Sequence, residues 1–330
     1  MNFQWTQGKG ATQSAQSVEP RTAVSTDSTN LGIRGTFDVQ EVLQVVCQCE
    51  TSAAVNSLSV SGNSRVGLSG FAWGTVFYGS SGTPYKAMAY GTKADDPFFA
   101  TDVYGFASIL SSPGLNYKGG GWATASNTAT IGFDVRSNST VAYFSPKWAG
   151  VSFKVLYAAD TWKDTSGPQD PVLDSGVVNY DQGPLSVNAS YERHDDGLGL
   201  VGINTATVLA LGATVANTAG SDTNANRTTD SAFRLGARYQ FDRSPGLTTV
   251  SGMFEELWYE QSDAVAGSVK LSQHPAWQLA PMHSMGNHEL RARFSMANEG
   301  SCTLAGGATC STSGYNPAGL ALVPERAVHV

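Results

Sequence analysis

Apolar and polar side chains alternate with a period of two along several stretches of this chain. Residues 289–296 are the clearest case, since every even position is apolar and every odd position is polar. The apolar set consists of Leu290, Ala292, Phe294 and Met296. Strict alternation of this kind predicts a β-strand with two chemically opposite faces.

The same alternation recurs at residues 151–157 and 233–241, where one face is apolar and the other carries lysine or arginine. Many strands of this type suggest a sheet with an apolar environment on one side and an aqueous environment on the other. A transmembrane antiparallel β-barrel around a water-filled pore satisfies the pattern, because its strands show apolar side chains to lipid and polar ones to the lumen.

The alternation and the turn residues predict about twelve or thirteen strands in one domain, 1–330. The predicted strands are 29–38, 41–50, 63–72, 74–81, 129–145, 149–158, 174–181, 184–194, 231–241, 247–260, 268–281 and 287–297, with 205–215 as either a further strand or part of an outer loop. Residues 1–27 are predicted to be irregular, with at most one edge strand, and 299–330 to be a loop and an atypical tail. Residues 83–127 are too long for an ordinary loop, so we expect them to fold into the lumen.

Composition narrows the function classes. Charged residues make up 14% of the chain, against about 25% in a typical soluble domain. The net charge is -7 and no basic tract stands out, which argues against a nucleic-acid partner. No run of about 18 apolar residues exists, so a transmembrane helix is not expected. Motifs for phosphate, dinucleotide, zinc-protease or serine-hydrolase chemistry are absent, so we predict no enzyme, no cofactor and no metal site.

The four cysteines fall into two pairs. Cys302 and Cys310 bracket a flexible segment that a disulfide can close, in keeping with an oxidising compartment. Cys47 and Cys49 are two positions apart on one strand face, a poor geometry for bridging each other, so we interpret them as small apolar wall residues.

Four segments resemble the Gram-negative general porins. They are Thr29–Asp38, Ser64–Gly70 followed by Gly74–Gly79, Thr83–Lys86 at the start of a long third loop, and Arg136–Pro146. The resemblance covers about 29–300, and four motifs in the family order carry it. It implies a sixteen-stranded barrel in the outer membrane, a homotrimer, and passive diffusion of small hydrophilic solutes and ions through a channel that the third loop narrows.

The chain departs from that family pattern in places. Asn30 and Ser80 stand where the family often has arginine, and the last residues lack the expected closing strands and terminal aromatic residue. The start of the chain also lacks the basic and apolar segments of a signal peptide, which an exported protein needs. We therefore expect a porin truncated at one or both ends, with an incomplete barrel.

Strand parity places eight basic residues on the polar face, which in a barrel is the lumen wall. They are Arg34, Arg65, Arg136, Lys154, Arg234, Arg238, Arg291 and Arg293. The inserted segment offers three carboxylates opposite them, Asp95, Asp96 and Asp102. Facing groups of cations and carboxylates create a transverse field across a narrow pore. Because basic residues dominate the predicted wall, we expect a mild anion preference, and the resemblance favours Arg34, Arg65 and Arg136 at the constriction.

Two alternatives remain open on the sequence. A soluble or surface β-sandwich that binds a ligand would bring its apolar faces together in one dry core. A non-functional porin fragment would never insert into a membrane.

Overall fold

In the computed structural model of this protein, the structure describes a series of separate segments. They are residues 2–8, 18–25, 30–54, 57–59, 62–89, 133, 135–159, 171–196, 228–243, 246–261, 269–297, 301–304, 306–307 and 318–326. These segments contain seventeen β-strands and one short α-helix. No helix in these segments is long and apolar enough to cross a membrane.

The strands follow one another along the whole chain. In order they are β1 (Asn2–Gly8), β2 (Val18–Ser25), β3 (Asn30–Gln40), β4 (Leu43–Ala54), β5 (Ser57–Ser59), β6 (Ser64–Gly70), β7 (Gly74–Gly82), β8 (Arg136–Phe144), β9 (Val151–Ala159), β10 (Val172–Gln182), β11 (Leu185–Asp195), β12 (Thr228–Arg243), β13 (Gly246–Gln261), β14 (Val269–Met285), β15 (His288–Ala297), β16 (Ser301–Leu304) and β17 (Ala318–Arg326). The helix α1 (Pro84–Ala89) follows β7.

Fifteen strands form one antiparallel sheet in which chain neighbours are mostly sheet neighbours. Its path runs β3-β4-β6-β7-β8-β9-β10-β11-β12-β13-β14-β15-β17, while β5 pairs with β4 and β16 with β14. β1 and β2 form a separate two-stranded sheet. Among the described strands β3 and β17 are the two edges and no ladder joins them, so the sheet is open.

The two faces of this sheet invert the usual relation between polarity and exposure. Outward side chains are apolar and exposed, for example Ile33 at 75% and Leu290 at 54%. Inward side chains are polar and buried, for example Arg291 at 4% and Ser295 at 4%. The predicted alternation of an apolar and a polar face is confirmed. An apolar exposed face is stable next to acyl chains and costly in water, as expected for a sheet that faces a membrane.

Short turns gather at one end of the sheet. β3 and β4 are joined by two residues, as are β10 and β11 and β14 and β15. Gly183 and Gly286 lie in the last two turns with φ of 56° and 54°, in the left-handed region that suits glycine. At the other end of the sheet lies α1, which follows β7.

The structure differs from the sequence prediction at both ends of the chain. Residues 1–27, predicted to be irregular, include β1 and β2, and the predicted tail 299–330 includes β16 and β17. The sequence pattern does not predict β17, because this strand consists mainly of small residues and leucine, with Pro324 near its end. Proline is tolerated there because β17 is an edge strand in the described sheet, with only one neighbour to which it must donate.

An apolar cluster interrupts the polar inner face. Phe77, Ala142, Leu156, Ala158 and Leu173 are buried together on β7 to β10, and Val135 and Phe144 pack against them. Strand parity places these residues on the same inward face as Lys154 and Arg65. The inner wall is therefore polar in part and apolar in part, and its apolar part lies close to the chain that folds inward.

Candidate functional site

The inward excursion begins with a well-capped helical turn. The hydroxyl of Thr83 accepts a hydrogen bond from the backbone N–H of Lys86 at 3.1 Å, which makes Thr83 an N-cap, and Pro84 occupies the first helical position. The backbone N–H of Thr83 donates to the carbonyl oxygen of Val135 at 3.2 Å. The start of the excursion is thus joined to the chain that returns into β8.

Tyr85 fixes α1 to the inner wall. Its hydroxyl donates to Glu255 Oε2 at 2.6 Å, and its backbone N–H donates to the hydroxyl of Ser175 at 3.1 Å. The Arg234 guanidinium lies 4.1 Å from the centre of the Tyr85 ring and donates to the Tyr85 carbonyl oxygen at 3.2 Å. Arg234 also forms an ion pair with Glu255, and both side chains are 0% exposed. We refer to Tyr85, Ser175, Arg234 and Glu255 as the helix anchor.

A second contact holds the returning chain on the same wall. Phe133 is 1% exposed and stacks on the His194 ring, with centroids 4.7 Å apart and planes at 16°. His194 Nε2 lies 2.9 Å from Glu192 Oε1, and both side chains are buried on β11. Phe133 also approaches the rings of Tyr85 and Tyr259, at 6.0 and 5.9 Å. Both described ends of the excursion therefore pack against β10 to β13.

A patch of basic side chains lies farther along the inner wall. Arg65 stacks over the rings of Phe77 and Phe144, at 4.4 and 5.4 Å from their centres, and Lys154 Nζ lies 5.1 Å from the Phe144 centre. Arg65 Nε donates to Gln48 Oε1 at 3.0 Å. Stacking on aromatic faces holds these two cations in place.

Glu50 is the carboxylate at the centre of the neighbouring group. Its Oε1 accepts from Arg34 Nη2 at 2.8 Å and from the Gln48 amide, and its Oε2 accepts from the backbone N–H of Asn63 at 3.1 Å. Arg136 Nε donates to the side chain of Asn63 at 3.1 Å. We refer to Arg34, Arg65, Arg136, Lys154 and Glu50 as the basic patch, in which Arg34 contacts the carboxylate directly.

The remaining predicted basic residues lie on β12 and β15. Arg238, Arg291 and Arg293 point inward by strand register, and Arg291 and Arg293 are 4% and 6% exposed. Arg291 Nη2 forms an ion pair with Glu289 Oε2 at 2.5 Å. Seven of the eight predicted basic residues share the inward face; at Arg136 the alternation is interrupted by Ser139, whose φ is 57°, although its side chain still contacts Asn63.

Some predicted residues lie outside the described part of the chain. Asp95, Asp96, Asp102 and Cys310 are among them, as is the side chain of Cys302. Cys47 and Cys49 are free thiols on the outward face of β4. Sequence reasoning overlooked the inward carboxylates, although the parity rule that selected the arginines also applies to them. These carboxylates are Glu50, Glu192, Asp230, Glu255 and Glu289.

Comparison with known proteins agrees with this geometry. A family model described as Gram-negative porin matches residues 1–281. The chain belongs to the Gram-negative porin family. Its location is accordingly the outer membrane, and the β-sandwich alternative is not supported, since fifteen of the seventeen described strands form one continuous sheet with polar side chains on its inner face.

Individual porins resemble the chain at low identity. Outer membrane porin protein 32 of Delftia acidovorans is 26% identical over 273 residues, which cover 80% of this chain and 64% of that protein. The structure of an anion-selective porin from Comamonas acidovorans matches with a TM-score of 0.63 and 20% identity, covering 86% of this chain and 74% of the other. A loop-deletion mutant of OmpT, an outer membrane protein of Vibrio cholerae, matches with a TM-score of 0.54 and 15% identity, covering 88% and 79%.

Proposed function

We propose that this porin forms a water-filled channel for the passive diffusion of small hydrophilic solutes and ions across the outer membrane. The observation that carries the proposal is the distribution of side chains on the sheet. Charged residues line its inward face while exposed apolar residues cover its outward face. Transport through such a channel selects by size and field and involves no covalent step, cofactor or metal.

A mild anion preference follows from the basic patch. Arg65 and Lys154 are held by aromatic rings, so their charges act on passing ions, whereas the charges of Arg234 and Arg291 are offset by Glu255 and Glu289. The inward carboxylates make this preference weaker than the arginine and lysine residues alone would suggest. The porin from Comamonas acidovorans is itself described as anion-selective.

We assign the constriction to Arg34, Arg65 and Arg136 on the wall and to the excursion that starts at α1, with Asp95, Asp96 and Asp102 as its charged side. Arg238 and Arg293 line the wall nearer to β15. Arg234 has a different role in this proposal: its guanidinium is buried in the helix anchor and fixes the excursion, so it contributes little to the field in the channel.

We further propose that the protein is a homotrimer, as the resemblance to general porins implies. The outward face of β3 supports this, since Leu31, Ile33 and Phe37 are exposed at 66%, 75% and 62%. Light scattering of the detergent-solubilised protein, corrected for bound detergent, tests the assembly independently of transport.

Purified protein reconstituted in a planar bilayer tests the channel. We expect stepwise conductance increases and, in a salt gradient, a reversal potential on the anion side. Current steps with a clear cation-side reversal potential would overturn the anion preference and leave the channel standing. Absence of steps from protein that shows heat-modifiable migration on a gel would overturn the channel and favour a non-functional fragment.

A further inference from the structure

Two neutral side-chain amides hold arginine residues of the basic patch. Asn63 Oδ1 accepts a hydrogen bond from Arg136 Nε at 3.1 Å. In the same way Gln48 Oε1 accepts from Arg65 Nε at 3.0 Å. An amide oxygen is an uncharged acceptor, so it fixes the orientation of a guanidinium without cancelling its positive charge. A carboxylate in the same place would form an ion pair and offset that charge.

Glu50 in turn holds both amides. The Gln48 side-chain amide donates to Glu50 Oε1, and the backbone N–H of Asn63 donates to Glu50 Oε2 at 3.1 Å. Gly62 allows the chain before β6 to pass this close to β4, because a Cβ there would lie 2.1 Å from Glu50 Cβ. The carboxylate therefore takes the N–H donors of these two residues, while their amide oxygens accept from arginines.

Asn63 also joins the basic patch to the start of the inward excursion. Its Oδ1 accepts a second hydrogen bond, from the backbone N–H of Gly82 at 2.9 Å. Gly82 is the last residue of β7 and directly precedes the N-cap Thr83. A substitution of Asn63 thus acts on two neighbours, Arg136 and the start of α1, and an experiment has to separate the two.

We propose that Asn63 and Gln48 are positioning residues that set the ion selectivity of the channel. Each holds one guanidinium at the wall and leaves its charge to act on passing anions. Without the Asn63 oxygen, the Arg136 guanidinium turns toward Glu50, whose charge acts on it across the patch. Part of the positive field is then cancelled. The inference rests on the channel function proposed above and assigns its selectivity in part to two uncharged side chains.

Alanine at position 63 removes the side-chain acceptor and keeps the backbone N–H that donates to Glu50. In a planar bilayer with a salt gradient, we expect Arg136→Met to lower the anion-to-cation permeability ratio about two- to threefold, the effect of one charge at about 7 Å in water. Asn63→Ala should lower the ratio by a smaller factor, because Arg136 stays charged. In the Arg136→Met background Asn63→Ala should have no further effect, since the residue through which it acts is gone.

Asn63→Asp shows whether the measurement is sensitive to this position. It keeps the acceptor for Arg136 and Gly82 and adds a negative charge, so it should lower the ratio in the native and in the Arg136→Met background alike. A further decrease when Asn63→Ala is added to Arg136→Met would place the effect at the start of α1 and overturn the proposal. An unchanged ratio in Asn63→Ala alone would overturn it as well.

The Gln48 contact provides a second, separate cycle. Gln48→Met removes the acceptor for Arg65 Nε, so it should lower the ratio in the native background and leave it unchanged in the Arg65→Met background. This cycle decides the inference if the Asn63 variants do not show heat-modifiable migration. Conducting channels with unchanged ratios overturn the inference and leave the channel function standing. Absence of current steps from the folded native protein overturns the channel function and the inference together.

Discussion

The hydroxyl of Tyr85 lies 2.6 Å from Glu255 Oε2, although 170 residues separate the two in sequence. Glu255 is fully buried on β13 and already paired with Arg234 on β12. A carboxylate buried in this way needs every donor it has, because removal of one leaves an incompletely solvated charge. This one contact therefore joins α1, at the start of the inward excursion, to β13, which is far from it in the sequence.

Removal of the Tyr85 hydroxyl should weaken that tie. We expect Tyr85→Phe to lower the free energy of unfolding by about 1.5–3 kcal/mol, the range for a hydrogen bond to a charged group. Urea titration of the barrel folded into lipid vesicles measures it. Tyr78→Phe, at an outward tyrosine that is 56% exposed, is the matched control. If the two variants are equally stable, the hydrogen bond contributes nothing to the anchor. A double-mutant cycle with Glu255→Gln then isolates the pair.

Neutralisation of the basic patch should shift ion selectivity. Arg65→Gln and Lys154→Gln each remove one cation from the inward wall, so the reversal potential in a salt gradient should move toward the cation side, and further in the double variant. Arg193→Gln removes one positive charge from the outward face and serves as the control for net charge. A shift of equal size in the control would show that selectivity follows total charge and not the patch.

Glu50 should have the opposite effect. Glu50→Gln removes the carboxylate that Arg34 contacts at 2.8 Å and leaves the four cations of the patch unopposed at that point. We therefore expect a stronger anion preference. The reversal potential should shift in the direction opposite to the shift expected for Arg65→Gln. Glu256→Gln, an outward carboxylate on β13, is the comparison variant. Movement toward the cation side would contradict the assignment of the patch to the conducting wall.

Much of the sheet was predictable because the side-chain period of a strand is a local property. The alternation at 233–241 and 289–296 alone places Arg234, Arg238, Arg291 and Arg293 on one face, and the strand register agrees. The alternation does not identify the residue with which each charged side chain pairs. Glu255 lies opposite Arg234 on the inward face while its neighbour Glu256 faces outward, and this pairing depends on the strand register. The contact with Tyr85 depends on where a long excursion meets the wall, which no local pattern encodes.

A second feature that the alternation rule does not predict is the group of apolar residues at inward positions. Phe77, Leu156 and Leu173 break the rule that inward positions are polar; Val135 packs against them, and α1 contacts β9 and β10, which carry two of them. An apolar residue at a lumen position is stable only if another part of the chain covers it. Deviations from parity therefore locate the covered part of the wall, whereas parity itself locates only the faces.

Leu290 offers the sharpest test of which face meets lipid. It is outward and 54% exposed on β15, directly next to the inward and buried Arg291. Arginine at an outward position near the bilayer midplane costs about 2–4 kcal/mol, falling toward zero near the interfaces. We expect Leu290→Arg to lower the free energy of unfolding in lipid vesicles by about 2 kcal/mol, the lower end of that range, because Leu290 lies three residues from the turn residue Asn287. Asn287→Arg, in the adjoining turn and also exposed, should change it little. If Leu290→Arg were as stable as Asn287→Arg in lipid, the exposed apolar face of β15 would not be in contact with acyl chains, and the orientation of the whole sheet would have to be reversed.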